Sequence, residues 1–499
     1  MKWIVPAVLS VVALQAAPNL ADYAMNADKQ GLRTLLQQKT DVNAAQADGM
    51  TALHWAVRQD DLDTAKLLIH AGANVQAATR LGITPLAIAC SNANAALIRL
   101  LLSAGANPNF AGENGETALM IASRLGDIEP LRALLDGGAE VNAKDTAAQS
   151  TALMVAIREN HPEVVKLLIA HGADVNTTTR VGQKPAPRAP NAGGGSHGAG
   201  INRGGVPERG QQDPTPGGMT PLLYAARDGE LDLAQMLVGA GADVNTAEAN
   251  KINPLQMAIE NGHVGLAKFL LDHGADINAA DYWGRAPLWL AVEMRNLDTD
   301  KFGENGVDRA SVLTLVQALL DRGANVNART TEYPPIRKFI MPLNDLSWVD
   351  ITGQTPFFRA ALSGDVTVMR LLLDKGADPK ISTVEGTTTL MAAAGVNWVG
   401  GQTYTESKES LLDAVKLCFE KGVDVNAANS MGITAVMAAA NRGSNDIIEF
   451  LVGHGARLDV KDKQGRSPLT WAEGVFLATN PPQPKPESMA LIHKLTDNR

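Results

Sequence analysis

The sequence predicts an all-α solenoid of small repeated units, and three observations carry that prediction. A glycine returns at a fixed period: Gly72, Gly105 and Gly138 are 33 residues apart, and the same interval separates Gly241 from Gly274 and Gly422 from Gly455. The same phrase surrounds each glycine, as in LLIHAGANV, LLIAHGADVN, FLLDHGADIN and LLLDKGADP. A helix-capping residue and a proline open many of the periods: Thr84-Pro85, Thr220-Pro221, Asn253-Pro254, Thr355-Pro356 and Ser467-Pro468. Such a period marks units that touch only their neighbours, so the core grows in one dimension. A chain of 499 residues then escapes the size limit of a single globular core.

Each element of the unit has a physical reason. The capping side chain accepts a hydrogen bond from a free amide at the helix start, and proline next to it forfeits nothing because its missing N–H had no partner there. A short alanine-rich helix follows, as in TPLLYAARDG. A second helix carries an apolar stripe. In HPEVVKLLIAHG, Val164, Leu167 and Leu168 stand at i, i+3 and i+4 with Glu163 and Lys166 outward, and Leu266, Phe269 and Leu270 take the same places later. The glycine ends that helix where the chain needs positive φ. An Asp-Val-Asn-Ala segment, read as turn chemistry, leads to the next unit.

The order T-P-L-x-x-A-A, x-V-V-x-L-L-L, x-G-A-D-V-N-A resembles the ankyrin repeat. The resemblance implies helix-turn-helix units with projecting β-hairpin fingers. Ten units carry the cap glycine, a degenerate one precedes them and another follows, about twelve over residues 18–497.

Residues 1–17 read as a signal peptide: Lys2, the apolar run WIVPAVLSVVAL, then Ala16 and Ala17 as a cleavage site. The run is shorter than the roughly 20 residues a bilayer span needs. The expected location is therefore periplasmic or secreted, with no stable membrane anchor. A net charge of −9 with mixed signs offers no basic footprint for nucleic acid. Cys90 and Cys418 fall in helices several units apart and read as core residues.

Where the period fails, the chain has inserted something. Repeats fill 18–176, a Gly/Pro-rich stretch at 177–217 has too few large apolar residues to order itself, and repeats resume over 218–497. The flanking helices keep ordinary apolar faces, so the stack is expected to continue with this stretch looped from one hairpin. Further insertions fall near 295–310 and 395–409, between the helices of their units, and near 330–352, within a hairpin.

No metal, P-loop, nucleophile-elbow or redox motif stands in the sequence. His70, His171, His273 and His454 recur with the repeat at helix ends, where they face carbonyls. The expectation is a non-catalytic, monomeric scaffold without cofactor or metal, binding a protein partner through hairpin tips and the concave helix face. Aromatic residues concentrate between 282 and 404, and Trp, Tyr and Arg dominate interface energetics. Tyr282, Trp283 and Arg285 at one tip, with Trp289, Glu293, Met294, Trp348, Trp398 and Tyr404, are the candidate contacts. The resemblance adds Arg58-Gln59 and Asn441-Arg442. The alternatives are an enzyme or small-molecule site built from 295–352 and 395–409, with Glu406 or Asp345 as polar groups, and a purely structural spacer.

Overall fold

The computed structural model describes residues 19–183, 217–297, 308–332, 350–397, 403–475 and 482–497. The expected signal peptide, Trp348, Trp398 and Asp345 lie outside them. Twenty-four helices occur among the described residues, in two compact units divided after Val175.

The first unit runs α1 (Leu20–Met25), α2 (Lys29–Gln37), α3 (Ala52–Arg58), α4 (Leu62–His70), α5 (Pro85–Ser91), α6 (Ala95–Ser103), α7 (Ala118–Leu125), α8 (Ile128–Asp136), α9 (Ala152–Arg158) and α10 (Pro162–Ala170). The second begins α11 (Pro221–Asp228), α12 (Leu231–Gly239), α13 (Pro254–Glu260), α14 (Val264–Asp272), α15 (Pro287–Arg295), α16 (Arg309–Asp321), α17 (Pro356–Ser363) and α18 (Val366–Asp374). It ends α19 (Thr389–Ala394), α20 (Lys408–Glu420), α21 (Ala435–Arg442), α22 (Asn445–Gly453), α23 (Pro468–Glu473) and α24 (Pro486–Asp497). Within each unit the odd-numbered helices pack on one another in a first row and the even-numbered helices form a second row behind it.

The local chemistry follows the sequence. Thr84, Thr220, Asn253, Thr355 and Ser467 each accept an amide from the third helical residue, with proline at the helix start. Gly72 has φ +90°, and a Cβ built there would meet nothing within 4 Å. Backbone conformation rather than space therefore selects glycine at this turn. Burial in the second helix is rotated from the expected stripe. Val164, Val165 and Leu168 are buried while Leu167 is only half-buried, because this helix packs on its own partner α9 and also on the second-row helix α8.

The structure adds detail to two expectations. The fingers are tight turns, each closed by a backbone hydrogen bond such as Thr79 N–H to Ile83 C=O at 2.9 Å. Their β pairing shrinks to isolated bridges, Ala111–Thr117 and Ala428–Thr434. The residue after the turn is already the next helix cap, which leaves no length for a second rung. The recurring asparagine also does more than turn the chain. Asp243 Oδ1 accepts Asn245 N–H within the turn, at 2.9 Å. The Asn245 amide then reaches the next repeat, donating to Gly274 C=O at 3.1 Å and accepting Asp276 N–H at 2.7 Å. Asn142, Asn176, Asn327 and Asn426 make the same double clamp. Lys380 occupies the equivalent place after α18.

The long insertions leave from defined points. Thr179 N–H donates to Met219 C=O at 3.0 Å and Thr330 N–H to Gln354 C=O at 3.1 Å, so both finger turns close around residues beyond the described ones. The other two interruptions fall between α15 and α16 and between α19 and α20.

Candidate functional site

Among the described residues expected to meet a partner, Trp283, Arg285, Trp289 and Met294 are turned inward. At the turn before α15, Tyr282 is 36% exposed but Trp283 only 2%. The Trp283 carbonyl accepts Thr331 N–H at 2.8 Å from the following turn, and the Arg285 guanidinium lies 5.1 Å from its ring centre. Arg285 is 2% exposed and pairs with Asp281 at 2.6 Å and Glu260 at 2.5 Å. Burial pulls its affinity for a proton down, yet Glu260, Asp281 and Glu293 around it leave the guanidinium above its ordinary pKa. Trp289 and Met294 are buried in α15, and Glu293 is half-buried. Trp283, Arg285, Trp289 and Met294 therefore present no surface to a partner. Their side chains complete the packing of α15 and its turn, while Tyr282 at the same turn stays exposed.

Tyr404 belongs to a polar cluster at the opposite ends of the first-row helices. Its N–H donates to Asn296 C=O at 3.0 Å, and its ring lies under the Arg309 guanidinium with the centroid 3.8 Å away. Arg309 pairs with Glu406, and Arg295 pairs with buried Asp365 at 2.8 Å. Arg359 donates to Asn296 C=O at 3.2 Å. Arg442 is half-buried, donates to Thr405 Oγ1 at 3.0 Å, and is pulled down to about 10 by burial.

The first-row faces differ between the two units. In α17 and α19 every residue is buried, so the helix face expected to bind a partner is not open there. In the first unit, Tyr23, Trp55, Ile88 and Ile121 occupy corresponding places on α1, α3, α5 and α7 and are all half-exposed. Arg58 and Gln59 are exposed, the Arg58 guanidinium sits 5.3 Å from the Trp55 ring centre, and Trp55 Nε1 donates to Gln46 at 2.8 Å. Leu81 (67% exposed) and Ile83 stand out from the turn before α5, and Leu125 is exposed at the end of α7. Sequence reasoning passed over these aliphatic residues because a count of aromatics cannot see them. The signal available was apolar side chains flanking Gly82, at a turn tip.

Other reactive side chains have structural partners. His171, His273 and His454 lie 2.7–2.9 Å through Nδ1 from a carbonyl one turn back. His161 and His263 face the carbonyls of Arg124 and Arg227. Cys90 and Cys418 are buried free thiols pushed up to about 12. Among the described residues no group of three His, Cys, Asp or Glu could hold a metal ion, and no helix is long and apolar enough to cross a membrane.

Comparison with known proteins gives a consistent result. A family model described as ankyrin repeats in three copies matches residues 20–111, 86–179, 222–302 and 405–474, and a single ankyrin repeat matches 352–381. The ankyrin repeat and KH domain-containing protein mask of Drosophila melanogaster is 36% identical over 123 residues, 24% of this chain and 3% of that one. Ankyrin repeat and KH domain-containing protein 1 of Homo sapiens is 35% identical over 122 residues, 24% and 4% of the two chains. The alignments thus span a small part of those two relatives. The ankyrin repeat protein YahD of Escherichia coli is 29% identical over 181 residues, 35% of this chain and 74% of that one. The crystal structure of the ankyrin repeat domain of Bcl-3 aligns at 27% identity and TM-score 0.39, covering 49% of this chain and 94% of the other.

Proposed function

The chain belongs to the ankyrin repeat family, and we propose that it is an exported, non-catalytic scaffold that binds a protein through the first-row face of its first unit. Ankyrin repeats generally serve as protein-interaction modules. The observation that carries the location is the difference in burial. Tyr23, Trp55, Ile88 and Ile121 form a half-exposed apolar row with Leu81, Ile83 and Leu125 beside it, whereas the corresponding faces of α17 and α19 are closed. Contiguous exposed apolar surface on a stable scaffold is a marker of interaction sites. A row held on rigid helices spares a partner the entropy of ordering loops. Export rests on Lys2, the apolar run after it and Ala16-Ala17.

A pull-down from cell-envelope extract with the chain lacking residues 1–17 tests the reading. Leu81→Glu/Leu125→Glu and Tyr282→Ala variants, each with the wild-type helical circular dichroism, run beside it. The expected result is a protein retained by the wild type and by Tyr282→Ala, and lost by the double variant. Retention by the double variant with loss by Tyr282→Ala would move the interface to the second unit. Absence of any specific protein would overturn the scaffold reading.

A further inference from the structure

We propose that three consecutive helix pairs of the second unit, α15–α16, α17–α18 and α19–α20, open and close as one body, because a staple joins the first pair to the third across the second. In a solenoid each repeat contacts its immediate neighbours, so its repeats can open progressively from a free end or a weak seam. The asparagine clamps obey that rule, since each one reaches only the next repeat. The cluster around Tyr404 does not. Tyr404 N–H donates to Asn296 C=O at 3.0 Å, Leu297 and Thr403 form an antiparallel bridge, and Arg309 pairs with Glu406. Each of these contacts runs from the end of the first pair's leading helix, or the start of its second, to the approach of α20. The middle pair is held in the same network. Asp365, at the cap of α18, takes Arg295 at 2.8 Å, Glu406 N–H donates to Ser363 C=O at 3.3 Å, and Arg359 donates to Asn296 C=O.

Burial gives the staple its all-or-none character. Asn296 and Asp365 are fully buried and Arg295 nearly so. Charges at such depth are tolerated only while their partners are in place, and removing one partner leaves the other desolvated and uncompensated. Opening any one of the three pairs therefore exposes the network to that penalty, and states with a single pair open become rare. The clamp pattern points the same way. Lys380 stands where a clamp asparagine would tie α17–α18 to α19–α20, so the asparagine clamp is replaced at this junction and the staple adds a tie at the opposite edge.

The test is native-state hydrogen exchange by mass spectrometry on the full chain across rising, sub-denaturing urea. In the wild type, peptides from α15, α17 and α20 should merge onto one urea dependence. Tyr404→Pro removes both the N–H to Asn296 and the ring beneath Arg309. Arg309→Met/Glu406→Gln removes the ion pair while conserving volume, and so covers the case in which the proline variant folds poorly. In either variant the α20 peptides should leave the common line and exchange roughly tenfold or more faster than those of α15, as a separate opening unit does. Arg322→Met, which deletes an exposed pair with Asp272, should leave the line intact. Separate lines in the wild type, or a line still common in the double variant, would overturn the proposal.

Discussion

The first unit and the stretch from Asp281 to Arg442 are built on one repeat, yet they treat their first-row helices in opposite ways. In the first unit the row from Tyr23 to Ile121 is half-open, and Arg124 meets Glu116 at an exposed position. In the later stretch α17 and α19 are closed on every side, and Arg285, Arg295 and Asp365 are buried charges. The repeat therefore fixes only the packing between rows and between neighbouring repeats within a unit. Whether the remaining face binds or is sealed is decided by side chains that the repeat leaves free to vary.

The sharpest break between the regions should come from equivalent chemistry at different depth. Arg285→Met strands Asp281 in the interior, and loss of one member of a buried pair costs about 3–5 kcal/mol. Arg124→Met removes an ion pair whose side chains are both well exposed, where such pairs are worth about 0–1 kcal/mol. Urea midpoints of the two variants against wild type measure the contrast. Equal losses would mean that burial does not separate the two regions energetically.

The periodic part of this architecture was legible in the sequence because it is local. Thr84-Pro85, the alanine-rich helix and Gly72 each report a constraint within a few residues, and each holds in the structure. The sealed face was not legible for the same reason. Trp283 is buried and its carbonyl accepts the N–H of Thr331, in the next turn, and nothing beside Trp283 in sequence announces that. Tyr404 meets Asn296 across an intervening helix pair, with no period to reveal it. Leu167 and Val165 exchange roles because the second helix packs on two neighbours at once, α9 and α8, which a single stripe cannot represent.

A smaller effect would sharpen the comparison along the second row. Asn142→Ala in the first unit deletes both bonds of a clamp, to Gly172 at 3.0 Å and from Asp174 at 2.8 Å. At about 0.5–1.5 kcal/mol for each net hydrogen bond, the variant should lose about 1–3 kcal/mol in urea titration. Lys380→Asn is the reciprocal change, supplying a clamp where the second unit lacks one. It should raise the midpoint by no more than Asn142→Ala lowers it, since both sites are exposed and the same two bonds are at stake. An unchanged midpoint for Asn142→Ala would show that solvent replaces the clamp at no cost.

The smallest effect concerns pH and compares one position in both units. His54 and Gln256 each stand three residues after the helix cap, and each ties its repeat to the next turn. His54 Nε2 lies 3.1 Å from Ile83 C=O, and Gln256 donates to Arg285 C=O at 2.8 Å. The His54 Nδ1 accepts Thr51 N–H, so a second ring proton would point at a donor. Burial pushes the His54 pKa below its ordinary value despite the carbonyls of Ile83 and Ala77 and the charge of Asp48. The folded state thus binds this proton less readily than the unfolded chain. Its contribution to stability is complete above the usual histidine pKa of about 6.5 and declines as pH falls toward the depressed folded value. The urea midpoint of the first unit should fall between pH 7.5 and 5.5, and His54→Gln should flatten that dependence while keeping the bond to Ile83. A wild-type slope that survives in His54→Gln would assign the pH dependence to other groups.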